Sequence, residues 1–310
     1  MYPPFLLFAM SAYFLNAFSA VVDRRLLKSR IPDPLTFAFY TGITSIGVVF
    51  VVPLILFLGN IRLHSYTLSM RLTGIALLSG VALVLAFYFI YTAIKDFDVT
   101  RAVPLTYGVV LPMTTPIFAF LFSRELLTRA EAIAFVCFVL GGMVLALDAR
   151  TSKELVSKKL LLYALAGGMT FAIATVLQDY VMSRSEFWTA IIWTRLGAVT
   201  AALLILLTPL RVRVRRDQQS LSGSSAGIFF GNKIVGSGGL LLYNAAQKFG
   251  SINIVNALKG SEFFFVFILT GIYQLMRGTS EERKEFRRAW RKNIAGAILI
   301  ALGLYVLYAA

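Results

Sequence analysis

Lys259 and Glu262 stand three residues apart inside a long apolar stretch. On a helix that spacing puts both on one face, where they can neutralise each other. Arg195 sits near the middle of another apolar stretch, and Lys233 lies in the first third of one more. A charged side chain at the centre of a bilayer costs about 2.5–3.5 kcal/mol on insertion scales, so the charges found there face a cavity or a partner. Arg195, Lys259 and Glu262 together make two cations and one anion, a surplus that a phosphate or carboxylate would offset. A second reading is an ion pair that serves only the fold. Glu262 also offers a coupling proton, because burial opposes its charge while the neighbouring cations favour it. Simpler roles are open to two others: Lys233 can snorkel to one membrane surface, and Asp179 can reach the headgroups. On this reading the intramembrane charges lie in the second half of the chain.

Uncharged polar residues extend the set. Asn16, Asn232, Asn244, Gln247 and Asn256 occur in or at the ends of apolar stretches, where bonding between helices is as plausible as ligand contact. Tyr91, Tyr107 and Tyr243 offer a pocket an apolar face and a hydroxyl, with packing as the plain alternative. Gly231, Gly236, Gly238 and Gly239 have no strand before them and apolar surroundings, so close helix packing or bending explains them better than a nucleotide loop. Pro104, Pro112 and Pro116 remove backbone donors and invite a kink. The single histidine, His64, falls in a loop, and the single cysteine, Cys137, falls in an apolar stretch. A His-dependent triad, a multi-His metal site and a cysteine cluster are therefore excluded, and no cofactor is implied.

The elements that hold these residues are set by composition. Of 310 residues, 58% are hydrophobic and 15% charged, more apolar surface than one soluble core could bury. Ten apolar stretches follow one another: 3–22, 35–58, 72–94, 102–122 and 130–147, then 160–182, 187–207, 228–246, 252–276 and 293–308. Each approaches the ~20 residues that a helix needs to cross about 30 Å of hydrocarbon. Unpaired backbone is too costly in lipid, so the expected fold is an all-α membrane protein of ten transmembrane helices. The first stretch has no basic residue before it and Arg24, Arg25, Lys28 and Arg30 after it, the reverse of a secretory signal, and is read as a retained helix. The formal charge of +15 sits in short clusters between the stretches, a membrane pattern and not a nucleic-acid surface.

Five helices precede a polar link at 150–157 and five follow it, giving units 1–149 and 158–310. The units echo each other. Tyr91 to Phe97 aligns with Tyr243 to Phe249, and the same register pairs Val103 with Val255 and Gly108 with Gly260. Duplicating an odd number of helices inverts the second copy, so the expectation is two inverted five-helix repeats around a site near the midplane. Loops after odd-numbered helices hold about 21 Lys and Arg against about 6 for the rest, which places the first set in the cytoplasm. Within that set, 211–225 reads as a flexible loop. The basic segment 277–292 reads as an interfacial helix or an extension of the last span, with Thr279 and Glu282 at capping-box spacing.

The run Arg101-Ala-Val-Pro104, then Pro112 and Pro116, then 122–128 (FSRELLT) and Gly141-Gly142, resembles the EamA-like branch of the drug/metabolite transporter superfamily. That resemblance implies ten helices in two inverted repeats and the export or exchange of small metabolites. Where the family pattern places proline and a closing glutamate in and after the ninth helix, this chain has Asn256, Lys259, Gly260 and Glu262, so no relative's substrate carries over. The resulting expectation is a secondary transporter moving a small polar or anionic metabolite across the inner membrane by alternating access, with membrane lipids around it and proton coupling through Glu262. Its candidate site residues are Lys259, Glu262, Arg195, Asn256, Tyr91, Tyr243 and Tyr107. A lipid-phosphate flippase is the close alternative, marked by a cavity open sideways to lipid. A non-transporting membrane scaffold would lack a polar central cavity, and a membrane-embedded enzyme would turn over a membrane substrate.

Overall fold

The computed structural model describes residues 4–31, 33–60, 67–97, 99–124, 127–146, 157–217, 223–277 and 280–309. His64, Glu125, Thr279 and most of the link 150–157 lie outside the described residues, as do the side chains of 278–292. Among the described residues there is no strand. The first half runs α1 (Pro4–Ser29), α2 (Pro34–Thr44), a 3-10 turn (Ser45–Gly47), α3 (Val48–Leu58), α4 (Met70–Phe97), α5 (Val99–Val103), a π-helical segment (Pro104–Val110), α6 (Leu111–Ser123) and α7 (Arg129–Ala146). The second half runs α8 (Lys158–Met182), α9 (Phe187–Leu207), α10 (Arg211–Asp217), α11 (Ser224–Phe249), α12 (Ile252–Leu258), a 3-10 turn (Lys259–Ser261), α13 (Glu262–Arg277) and α14 (Ser280–Ala309).

Seven helical stretches are long and apolar enough to cross a membrane: Pro4–Lys28, Pro34–Leu58, Met70–Phe97, Pro104–Phe122, Lys158–Met182, Phe187–Leu207 and Ile252–Leu269. Ile294–Leu307, within α14, is a shorter apolar run. Against the ten expected, α7, α11 and α14 stand outside this set, although they pack in the same bundle. In α11 the reason is plain, since Asn232, Lys233, Asn244, Gln247 and Lys248 dilute its apolar face.

Local signals set the helix ends. Thr128 and Glu131 exchange hydrogen bonds at the start of α7, 2.8 Å from the Thr128 amide to Glu131 and 3.3 Å from the Glu131 amide to the Thr128 hydroxyl, a reciprocal capping box. The Ser157 hydroxyl accepts from the Leu160 amide and caps α8. α10 corrects the expectation of a flexible loop over its described part: Arg213 pairs with Asp33 at the entry to α2, and Val214 is buried against Phe39 and Ala202. From Ser280 onward α14 is one unbroken helix, which favours an extension of the last span over a separate interfacial helix.

The principal packing partners are α4 with α8 and α9, α1 with α11 and α13, α6 with α8, α2 with α4 and α9, and α7 with α14. The α4–α9 crossing is close enough that a Cβ on Gly80 would lie 2.2 Å from the Thr194 carbonyl, and one on Gly197 would lie 2.4 Å from the Leu77 carbonyl. No side chain separates those backbones. On α11 the glycines make room for side chains of α1 instead: added Cβ atoms on Gly236 and Gly239 would meet the Ser19 hydroxyl at 2.9 Å and the Asn16 amide oxygen at 2.4 Å. Gly231 has open space around it.

Candidate functional site

The regular helices break where they border the centre of the bundle. The 3-10 turn at Ser45–Gly47, the π-helical segment opened by Pro104 and the 3-10 turn at Lys259–Ser261 each interrupt an apolar span. Proline supplies no backbone donor, and π segments of this kind are frequent at functional sites. Membrane-depth backbone that departs from the α-helix is tolerated where it is buried in protein or lines a cavity. Here all three breaks contribute lining residues to one cavity of about 620 Å³, among them Gly47, Tyr107 and Lys259.

Five charged side chains line it, and all five are buried. Lys259 donates to Glu262 at 2.8 Å, the pair anticipated from their spacing. Four rings surround its ammonium, with centroids at 4.4 Å (Tyr107), 5.2 Å (Tyr243), 5.4 Å (Phe171) and 5.5 Å (Tyr13), so the charge is balanced by one carboxylate and by ring quadrupoles. Lys233 is held in a parallel way. It donates to both Asp23 oxygens at 3.0 Å and to the Tyr91 hydroxyl at 3.2 Å, with the Phe37 ring 4.5 Å away. Asn232 adds a 2.6 Å bond to Asp23 and a 3.2 Å bond to the Ser19 carbonyl.

This second pair corrects two expectations. Lys233 is not reaching for a membrane surface, because Asp23 and three rings hold it inside. Nor are the intramembrane charges confined to the second half, because α1 continues past Asp23 to Ser29 and carries that carboxylate into the bundle. Sequence reasoning missed Asp23 because the basic run behind it drew the end of the first span one residue too early. An acidic residue directly before such a run was the available signal.

Arg195 differs from the other four. It is 7% exposed and lines the cavity, yet no carboxylate or hydrogen-bond acceptor among the described residues pairs with it. Two ion pairs cancel and one guanidinium is left over, so the cavity carries a net positive charge. Of the remaining candidates, Tyr91 and Tyr107 line the cavity, whereas Tyr243 and Asn256 are not among its walls. Tyr243 bonds to Asn256, and the Asn256 amide donates to Thr115 at 2.9 Å and Thr175 at 3.2 Å. That network ties α12 to α6, α8 and α11. Asn244 lines the cavity with neither amide atom bonded. Among the described residues no group of three His, Cys, Asp or Glu is placed to hold a metal.

Comparison with known proteins agrees with this architecture. Residues 4–147 match the EamA-like transporter family, consistent with the drug/metabolite transporter superfamily. No curated protein matches the chain in sequence. A solved structure described only as "Crystal structure of protein" shares the fold, with a TM-score of 0.63 over 96% of each chain and 16% identity.

Proposed function

We propose that this chain, EamA-like over residues 4–147, is a secondary transporter that carries a small organic anion across the inner membrane by alternating access. The family match makes a membrane transporter of small substrates the coarse reading. The observation that carries the finer one is the unpaired Arg195 guanidinium, in a cavity whose other four charges cancel in pairs. An unpaired buried charge is expensive, and a bound anion is the group that offsets it.

Ten spans in two inverted repeats belong to the same reading, with α7, α11 and α14 added to the seven apolar stretches. Packing supports it. Exchange the first five spans for the second five, and α4 on α8 becomes α11 on α1, α6 on α8 becomes α13 on α1, and α7 on α14 maps onto itself. Gly108 and Gly260, equivalent in the internal alignment, also meet: a Cβ on Gly260 would lie 3.1 Å from the Gly108 Cα. Glu262 is the coupling group in this scheme, since a proton on it would release Lys259 from its partner. A scaffold predicts no polar central cavity, so a cavity lined by five charges counts against that alternative.

Thermal unfolding of the purified chain against pools of organic anions, cations and neutral solutes tests the reading, because a ligand of the folded state raises apparent stability. The expected result is a shift from an anion pool that disappears in Arg195→Gln and reappears as counterflow in proteoliposomes. Stabilisation by cations alone would overturn it. Reporters fused after Arg30, within 211–225 or within 277–292 should read cytoplasmic, and a periplasmic signal at any of them would reverse the orientation.

A further inference from the structure

We propose that the substrate is an amphipathic monoanion that reaches Arg195 from the lipid, sideways, through a gap between α3 and α11. The proposal rests on the reading of this cavity as a transport site. Charge fixes the first half of the description: Asp23 with Lys233 and Glu262 with Lys259 are internally neutral, leaving Arg195 to take one negative charge. Asn244, fully buried on the α11 wall with both amide atoms unsatisfied, offers the head group a further hydrogen-bond partner. A dianion would leave one charge uncompensated in a buried site.

The walls fix the second half. α3 contributes Val48, Val51 and Ile55, and α11 contributes Ile234 and Leu241. Several lining residues also face outward. Ile46 is 45% exposed, Val51 50%, Phe230 50% and Ile234 73%. These four are apolar, with Ser237 the one exposed polar residue of the lining; Ile46 and Val51 lie inside the apolar span Pro34–Leu58, and Ile234 is ten residues into α11, about 15 Å along its axis. The mouth therefore opens at hydrocarbon depth and not at a water surface. An apolar rim there matches an acyl or aromatic body that stays solvated by lipid, whereas a wholly polar solute would pay for desolvation on the way in. α3 packs on α9 and α11 packs along α1, so the two sides of the mouth belong to separate packing units.

The test is binding to the full chain in nanodiscs of neutral lipid, with radiolabelled decanesulfonate as probe. Methanesulfonate supplies the same head without a tail, and decyl glucoside the same tail without a charge. Saturable decanesulfonate binding above that of protein-free nanodiscs is expected, tightening about fourfold per methylene along an alkanesulfonate series when referred to the aqueous concentration. Arg195→Gln should weaken it by about 10- to 100-fold, with Arg195→Lys recovering part. Ile234→Trp should obstruct the mouth and slow entry while sparing the thermal transition. If methanesulfonate binds as tightly as decanesulfonate, the amphipathic claim is overturned and the anion transporter stands. If decyl glucoside binds as tightly, the anion reading fails as well. If binding is chain-length dependent yet its on-rate is indifferent to Ile234→Trp and to Phe230→Trp, lateral entry is wrong.

Discussion

The α4–α9 crossing and the α3–α11 gap occupy related places in the bundle and look nothing alike. Under the proposed repeat exchange, α4 against α9 becomes α11 against the second span, yet one is a backbone-to-backbone seam and the other a cavity mouth. At the seam, Gly80 and Gly197 remove the side chains that would hold the helices apart. On the other side Asn232 and Lys233 of α11 turn to Asp23 of α1, and α3 is left without that partner. The same topology is thus closed where glycines meet and open where charges are satisfied elsewhere. An alternating-access cycle would exchange the two conditions, closing α3 on α11 as α4 parts from α9.

The comparison can be broken at several points. The largest effect is expected from Lys233→Met, which strands Asp23 in the interior and should cost about 3–5 kcal/mol, read as a lowered thermal transition. Adding Asp23→Asn should recover most of it, and no recovery would mean that the pair is not the unit that holds α11 to α1. The same cycle at the other pair separates structure from function. A well-folded Lys259→Met/Glu262→Gln protein that transports fully would remove Lys259 and Glu262 from the site.

A smaller loss, about 1–3 kcal/mol, is expected of Gly80→Leu at the seam, whereas Gly231→Leu in open space on α11 should stay within about 0.5 kcal/mol. Equal losses would show that the seam is not the tight contact it looks. Arg195→Gln should leave the thermal transition unchanged or raised, because it removes an uncompensated charge, while anion binding weakens by about 10- to 100-fold. A large drop in stability would point to a structural partner and away from a ligand. Least of all should happen with Lys159→Ala: its 2.8 Å pair with Asp96 lies at the exposed end of α8, and neither unfolding nor transport should respond.

How much of this was legible from sequence depends on distance along the chain. Lys259 and Glu262 could be paired on paper because helical geometry alone brings residues three apart together. Asp23 and Lys233 are brought together only by α1 packing on α11, and nothing local announces it. Arg195 was visible as a mid-span charge, but its lack of a partner among the described residues is a property of the assembled walls. Tyr243 and Asn256 illustrate the reverse: both looked like pocket residues, and the fold uses them on one another and on Thr115 and Thr175. Helix order was readable because apolar length is a strong local signal. The backbone breaks at 45–47 and 259–261 were not, since no proline marks either.

The meeting of Gly108, Gly142 and Gly260 has a mechanical side. A Cβ on Gly142 would lie 2.4 Å from the Gly108 carbonyl, and one on Gly260 would lie 3.1 Å from the Gly108 Cα, so three backbones from both halves bear on one another at a point. Such a bearing resists compression and has no interlocking side chains to resist rotation. In the proposed alternating-access cycle, helices turning about that point would act as levers. A few degrees of turn at the junction become ångströms of travel at their far ends, and a single methyl group inserted between the bearing surfaces would jam the joint.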